Sequence, residues 1–194
     1  MVIEYKNIDH IFESSSEIMH DSKILSSQIE KSVELITRSI KNGNKIILFG
    51  NGGSAADAQH MAAEFIGRFM KERQSFPAIA ISTDTSVITA IGNDYSFDRI
   101  FSRQIESLVK KGDVVIAIST SGRSKNILEG LKASKKLGAK VISLTGKNGT
   151  KMKLKSDVFL NVPSIETSRI QEAHRTIIHI ICEIVENELV KRKL

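Results

Sequence analysis

The sequence has little of what marks secreted, membrane-spanning or disordered proteins. It contains one cysteine, no tryptophan and two prolines among 194 residues. Because Cys182 has no second cysteine to pair with, the chain cannot form an internal disulfide, which is typical of a reducing compartment. No segment approaches the run of about 20 apolar residues needed to span a bilayer, and residues 1–10 lack the apolar core of a signal peptide. We therefore expect a cytoplasmic protein without membrane contact, in which Cys182 serves packing.

Aromatic residues are also scarce, and the charge is only moderately one-sided. Lysine and arginine number 28 against 22 acidic residues, which gives a formal net charge of +6, and aromatics make up 5% of the chain. The basic residues are dispersed, and few aromatic side chains are available to stack on bases. This balance suits a small anionic ligand and predicts no nucleic-acid partner. The length predicts a single domain over residues 1–194.

Short apolar runs alternate with helical patterns through the middle of the chain. That order predicts parallel strands joined by crossover helices on both faces of the sheet, a three-layer α/β sandwich with five strands. We expect an N-terminal helical region over residues 1–43, an α/β core over 44–165 and a C-terminal helix over 166–194. Both terminal helices are longer than such a sandwich needs, so we expect them to pack against other subunits. The predicted strands are Lys45–Phe49, Pro77–Ile81, Asp113–Ser119, Lys140–Leu144 and Asp157–Val162.

A glycine-rich loop follows the first predicted strand and leads into an alanine-rich helix. Its residues, Gly50-Asn51-Gly52-Gly53-Ser54, allow a sharp turn that presents backbone amides to an anion such as a phosphate. One face of the following helix carries Asp57, His60 and Glu64 within about 60° of one another. Anion binding and proton chemistry are therefore expected within two helical turns.

The same loop does not match the common nucleotide motifs. It ends in Gly53-Ser54-Ala55, which lacks the lysine of a nucleoside-triphosphate loop. A dinucleotide site would need an acid at the end of the next strand, where Ser82-Thr83 stand instead. Neither a nucleotide nor a nicotinamide cofactor is expected.

Two further polar segments have both a structural and a functional interpretation. Ser119-Thr120-Ser121-Gly122-Arg123-Ser124 follows the third strand and precedes a helix, so its hydroxyls either cap that helix or, beside the first loop, hold a phosphate. Asn93-Asp94 either caps a helix beginning near Phe97 or binds sugar hydroxyls.

The C-terminal helix carries a second group of polar side chains that could bind a metal ion. Gln171 and His179 are eight residues apart, so their directions differ by about 80°. With His60 and Glu64 they would make a set of two imidazoles, a carboxylate and an amide that Zn²⁺ accepts. Taken alone, His179 is better explained as a packed, hydrogen-bonded core histidine than as a metal ligand, and the sequence by itself does not bring the two helices together.

These segments together resemble the phosphoheptose isomerases of the sugar-isomerase (SIS) domain superfamily, over roughly residues 8–190. The fold that the resemblance implies is the flavodoxin-like SIS domain. The resemblance rests on Gly50-Asn51-Gly52-Gly53-Ser54 with Asp57, His60 and Glu64, on Thr83-Asp84-Thr85-Ser86, on Gly92-Asn93-Asp94, on Ser119-Thr120-Ser121-Gly122, on Leu144-Thr145-Gly146 and on Arg169-Ile170-Gln171-Glu172.

The resemblance implies an isomerase that converts D-sedoheptulose 7-phosphate to D-glycero-D-manno-heptose 7-phosphate through an enediol, the entry step of bacterial heptose synthesis for lipopolysaccharide core or capsule. It implies a homotetramer with active sites between subunits and one Zn²⁺ per subunit. Glu64, His179 and Asp57 become the acid and base candidates. The implied metal ligands are His60, Glu64, Gln171 and His179. The implied substrate contacts are Asn51, Gly52, Gly53, Glu64, Asn93, Asp94 and Gln171 with Ser119, Thr120, Ser121 and Ser124 around the phosphate.

Two other functions stay open at this point. Replication-initiator-associating proteins share the superfamily and its loops but act as protein-binding tetramers, so the fold alone does not establish catalysis. An isomerase for another sugar phosphate, such as a pentose phosphate, would share the phosphate loop but would not need both histidine-bearing helices.

Overall fold

The structure of the protein, a computed structural model, describes residues 8–190. The first seven residues and the last four, including the end of the predicted C-terminal helix, lie outside the described residues. The strands are β1 (Ile46–Gly50), β2 (Ala78–Ala80), β3 (Val114–Ser119), β4 (Lys140–Gly146) and β5 (Val158–Val162). The helices are α1 (Ile8–Asp21), α2 (Ser26–Lys41), α3 (Gly53–Ile66), α4 (Thr85–Asp94), α5 (Ile100–Leu108), α6 (Lys125–Lys136) and α7 (Thr167–Leu189), with 3₁₀ turns at Ser22–Leu25, Phe97–Arg99 and Thr150–Lys155.

The strands form one parallel sheet in the order β2-β1-β3-β4-β5. This is the flavodoxin-like order, in which the chain reverses its direction of winding between β1 and β3. The predicted five-stranded α/β fold is therefore confirmed. The loops that follow β1 and β3 leave the same edge of the sheet, because the carboxyl ends of parallel strands lie together.

Helices cover both faces of the sheet and make two apolar cores. Successive strand residues point to opposite faces, so Leu48 packs with α2, α3 and α7 while Ile47 packs with α5 and α6. Cys182 lies in the first core with 2% of its surface exposed, as the packing interpretation predicts. None of the helices within residues 8–190 is long and apolar enough to cross a membrane.

The N-terminal helical region is interrupted rather than continuous. The 3₁₀ turn Ser22–Leu25 separates α1 from α2 and lets Leu25 enter the core. The hydroxyl of Ser22 donates to the carbonyl of Ile18 at 2.7 Å, the local side-chain bonding that competes with regular helix. Helix α1 buries none of its own residues and is tied to α7 by Arg169, whose guanidinium donates to the Ile11 carbonyl at 2.6 Å.

A buried histidine makes the stability of the fold depend on pH. His174 on α7 is fully buried, and this burial, opposed in part by the backbone of Thr145, lowers its pKa to about 4. The unfolded chain binds a proton near pH 6.5, so between pH 6.5 and 4 it holds more protons than the folded protein, and stability falls as the pH falls.

We expect His174 to account for about 2.5 kcal/mol of the stability lost between pH 7.5 and 4.5, by that difference in proton binding. Urea unfolding of the wild type and of His174→Gln at both pH values measures this term. The loss should be smaller in His174→Gln by that amount, and unchanged in the exposed-site control His20→Gln. An equal loss in wild type and His174→Gln would contradict the assignment.

Candidate functional site

The loop after β1 is shaped to present backbone amides at the start of α3. Gly52 precedes the helix with φ +55°, a left-handed conformation that favours glycine, and α3 begins at Gly53. A side chain at Gly53 would collide with the amide of Gln171, which packs directly on this loop from α7. The first amides of α3 have no capping side chain, and those of Ser54 and Ala55 donate to the carbonyls of Asn51 and Gly52 at 3.0 Å. Anion binding at this loop stays a prediction.

The loop after β3 lies beside it at the same edge of the sheet. The Ser119 hydroxyl accepts from the Gly122 amide at 3.1 Å, and the Ser121 hydroxyl accepts from the Arg123 amide at 3.3 Å. Ser124 is the N-cap residue of α6 but makes no side-chain capping bond, so helix capping does not account for the loop's hydroxyls. The cavity at this loop measures about 150 Å³ and is lined by Thr120, Ser121, Arg123, Asn148, Ser164, Ile165, Thr167 and Ile170.

A reciprocal pair of amides joins the two loops. Asn51 and Asn126 exchange side-chain hydrogen bonds of 3.0 and 2.9 Å, and the Asn126 oxygen also accepts from the Ile127 amide. Asn126 is almost fully buried and was not among the sequence-predicted site residues. An asparagine in the first turn of a helix is ordinary in sequence, so no local signal identifies it. The Asn51 side chain is held by Asn126, whereas the Asn51 backbone remains part of the loop.

The predicted imidazoles and carboxylate of α3 and α7 meet one another. The Nε2 atoms of His60 and His179 are 2.8 Å apart, and His60 Nε2 lies 3.5 Å from Glu64 Oε1. At this distance one imidazole donates to the other, which requires one Nε2 to carry the proton and the other to be bare. The structure thus brings His60, Glu64 and His179 into one cluster that can hold and transfer a proton.

The donor types of this cluster fit Zn²⁺, but the present spacing is that of a hydrogen bond. Burial lowers the pKa of His60, and Arg175 adds to that effect, so the imidazole is held in the neutral form that binds metals. Tetrahedral Zn–N bonds of about 2.0–2.1 Å separate neighbouring nitrogens by roughly 3.3 Å. Binding therefore requires the two imidazoles to part by about 0.5 Å. Within residues 8–190 no three His, Cys, Asp or Glu side chains already enclose a metal position.

Gln171 lies nearer the start of α7 than the histidine cluster does. Its amide packs on Gly53 at the start of α3, whereas His179 is eight residues further along α7, a rise of about 12 Å. Helices α3 and α7 both begin at the carboxyl edge of the sheet, so they run in the same direction. Gln171 therefore lies with the two loops, while the histidine cluster lies about two turns deeper.

Asp57 is engaged in an ion pair. Its Oδ1 lies 2.6 Å from Arg175 Nη2, and its side chain is almost fully buried. Burial raises the pKa of Asp57, and the Arg175 guanidinium offsets only part of that rise. Arg175 thereby links α7 to α3 one turn before His60. Asp57 is adjacent to the cluster but has a partner of its own.

Asn93 and Asp94 do not have the capping role that the sequence suggested. They are the last two residues of α4, and the 3₁₀ turn at Phe97–Arg99 has Ser96 as its N-cap residue instead. The helical segment before them begins at Thr85 and is capped by Asp84, whose side chain accepts from the Val87 amide. Both side chains are exposed, and the Asn93 amide donates to Asp94 Oδ1 at 2.9 Å. Their predicted contact with a sugar stays a prediction.

Comparison with known proteins identifies the family. The chain matches the SIS domain family over residues 10–146. It is 50% identical over 188 residues to a phosphoheptose isomerase of Aquifex aeolicus, covering 96% of this chain and 98% of that protein. Solved phosphoheptose isomerases from Neisseria gonorrhoeae (TM-score 0.88, 43% identity, 93% and 97% coverage) and Francisella tularensis (TM-score 0.90, 36% identity, 93% and 96% coverage) share its fold. The chain therefore belongs to the phosphoheptose isomerase family of SIS-domain proteins.

Proposed function

We propose that the protein isomerises D-sedoheptulose 7-phosphate to D-glycero-D-manno-heptose 7-phosphate, the first step of bacterial heptose synthesis for lipopolysaccharide core or capsule. The observation that carries this proposal is the meeting of His60, Glu64 and His179, in a protein whose two loops at the sheet edge are predicted to bind an anion. The relatives with extensive identity are named as isomerases, so the non-catalytic protein-binding alternative is not favoured.

The reaction needs two proton transfers. Moving the carbonyl from C2 to C1 removes a proton from C1, passes through a cis-enediol and returns a proton to C2. Glu64 has its side chain half-buried beside His60, and His179 shares a proton with His60, so each can take or give a proton at the sugar. Asp57 is a weaker candidate because Arg175 already binds it. We assign the transfers to Glu64 and His179.

A bound Zn²⁺, one per subunit, is part of the proposal. Its ligands would be His60, Glu64 and His179, and it would act as a Lewis acid toward the sugar carbonyl. A side chain held tightly by the metal is not free to take a proton, so Glu64 and His179 would have to be released from it when the sugar binds; otherwise the transfer would fall to Asp57. Gln171 of the same chain lies near Gly53, about two helical turns away, so we propose that Gln171 of a second copy completes the set.

The same separation supports active sites shared between subunits of a tetramer. The phosphate loops and Gln171 lie at the edge of the sheet, and the histidine cluster lies roughly 10–12 Å deeper along α3 and α7. Gln171 of one chain packs on Gly53 and not on the histidine cluster of that chain, which is why we propose that a second copy contributes to each site. Helix α7 exposes Ile180 and Ile184 next to His179, an apolar surface that a second copy would cover.

Mixing two impaired variants tests whether sites are shared. Glu64→Gln lacks the proposed acid–base group, and the double variant Ser119→Ala/Ser121→Ala lacks phosphate contacts. After unfolding and refolding together, random association gives roughly a quarter of the sites both wild-type halves, and activity at low substrate should rise accordingly. Activity that never exceeds the sum of the separately refolded variants would show that each chain carries a complete site.

Removing single hydroxyls from the second loop should weaken substrate binding. A hydrogen bond to a phosphate oxygen is worth about 1.5–3 kcal/mol, so Ser119→Ala or Ser121→Ala should raise KM by roughly 10- to 150-fold, with kcat changed little. Steady-state kinetics measures both constants, and Ser107→Ala on α5 is the matched control. Unchanged KM in both loop variants would remove this loop from the site.

The enediol route itself has a direct test. The side chain that takes the proton from C1 can exchange it with solvent before a proton is returned to C2. In D₂O the aldoheptose phosphate should therefore carry deuterium at C2. Mass spectrometry and NMR of the product measure its position. Product with no solvent deuterium at C2, and no exchange at C1 of recovered substrate, would argue for hydride transfer instead.

A further inference from the structure

A carboxylate on α7 organises the segment that follows α3. Glu186 lies seven residues after His179, so both point to nearly the same side of α7, two turns apart. Its side chain is 2% exposed, and it accepts four hydrogen bonds from residues 69–73. The donors are the amides of Phe69 (3.0 Å), Met70 (2.8 Å) and Lys71 (2.8 Å) and the Arg73 Nε (2.9 Å).

Arg73 extends this arrangement to the end of α3. Its side chain is 3% exposed and lies 3.9 Å over the ring of Phe76. Its guanidinium donates to carbonyl groups at the C-terminus of α3, where a helix leaves carbonyls unpaired, and to one carbonyl of the following segment. The acceptors are the carbonyls of Glu64 (2.7 Å), Phe65 (2.9 Å), Gln74 (3.1 Å) and Gly67 (3.3 Å).

Arg73 contacts the backbone of one proposed proton-transfer residue, and Glu186 reaches the other through Phe69. Arg73 holds the backbone of Glu64 directly, at the last turn of α3. The segment bound by Glu186 carries Phe69, whose ring lies 5.6 Å from the ring of His179. Residues 67–76 have no helix or strand of their own, so their path depends on these side-chain bonds.

We propose that Glu186 and Arg73 are positioning residues that fix Glu64 and His179 for proton transfer. This inference rests on the proposed function. A buried ion pair is in general a weak source of stability, since apolar residues of the same volume often pack as well. What apolar residues do not supply is a set of directed bonds to backbone amides and carbonyls. Burial raises the pKa of Glu186, but the amides and Arg73 outweigh it, so the carboxylate stays ionised.

Glu186→Gln tests the proposal because it keeps the size of the side chain but leaves one acceptor oxygen where the carboxylate has two. The amides of residues 69–71 and the Arg73 guanidinium are then no longer all bound. A displacement of about 1 Å at a reacting group can cost 10²-fold, so kcat for sedoheptulose 7-phosphate should fall roughly 10- to 100-fold. KM should stay within about twofold, because the Ser119–Ser124 loop is untouched. Glu183→Gln, at an exposed position of the same helix, is the matched control and should keep wild-type constants.

Hydrogen exchange separates positioning from loss of folding. In Glu186→Gln the amides of Met70 and Lys71 should lose protection while those of β1 and β3 keep theirs. Folded Glu186→Gln with wild-type kcat, or with a raised KM alone, would overturn the proposal. So would a kcat that returns to the wild-type value once corrected for the folded fraction.

A second variant decides the matter if Glu186→Gln does not fold. Phe69→Leu keeps the amide that donates to Glu186 and removes the ring beside His179, and it should lower kcat severalfold with Met70 and Lys71 still protected. Wild-type kcat in Phe69→Leu would overturn the proposal in that case. A wild-type protein that does not turn over the sugar would refute the proposed function and the positioning role with it. Equal turnover by the wild type and the variants would refute only the positioning role.

Discussion

Replacing Glu64 with glutamine should lower kcat by roughly 10²–10⁴-fold, the usual contribution of a well-placed acid or base. Glutamine keeps the size and one oxygen of the side chain but does not take a proton at neutral pH. The neighbouring imidazole pair would remain, because the 2.8 Å contact joins His60 and His179. Steady-state kinetics with sedoheptulose 7-phosphate measures the effect, and KM should change much less than kcat.

The control for this variant is Glu129→Gln on α6, an exposed carboxylate outside the cluster. Metal content separates two explanations of lost turnover. A Glu64→Gln protein that keeps Zn²⁺ but loses turnover assigns Glu64 to proton transfer, whereas loss of both assigns it to the metal. Wild-type turnover by Glu64→Gln would rule out both roles.

Removing the metal should abolish most turnover reversibly. If His60, Glu64 and His179 hold a catalytic Zn²⁺, a chelator should suppress activity and added Zn²⁺ should restore it. His60→Gln should lower both bound zinc and turnover, because it removes an imidazole from the pair. Elemental analysis of the purified protein before and after chelation gives the metal content without reference to activity.

His20→Gln, in an exposed histidine of α1, is the matched control and should leave metal content unchanged. Turnover at the wild-type rate by both His60→Gln and Glu64→Gln in metal-free buffer would mean that the cluster serves packing alone. The mechanism proposed for this site would then be wrong.

The features predicted correctly from sequence depend mainly on local patterns. The apolar runs that became β1 and β3 are flanked by turns and helices, which is enough to predict a parallel sheet and to put both loops at one edge. Gly52 and Gly53 were recognised for the same reason, since a tight turn into a helix has a local signature. Of the two interpretations that the sequence left open for Asn93 and Asp94, capping is excluded because α4 continues through both residues before the chain turns, and sugar binding stays a prediction.

The sequence does not predict how α3 and α7 are placed along one another. The meeting of His60 with His179 depends on how α3 and α7 lie against one another, and the same register places Gln171 beside Gly53 instead. Asn126 and Glu186 look ordinary in sequence, as a polar residue in a first helical turn and a glutamate near a helix end. Asn126 binds a residue 75 positions away in the sequence, and the partners of Glu186 are 113 or more positions away, so neither role is visible from local sequence.

The most direct test is to incubate the purified, zinc-supplied protein with sedoheptulose 7-phosphate and to follow the sugar by NMR. We expect aldoheptose 7-phosphate to accumulate without any nucleotide or nicotinamide, and to be nearly absent with Glu64→Gln under the same conditions. A folded wild-type protein that forms no aldoheptose phosphate would contradict the proposed function.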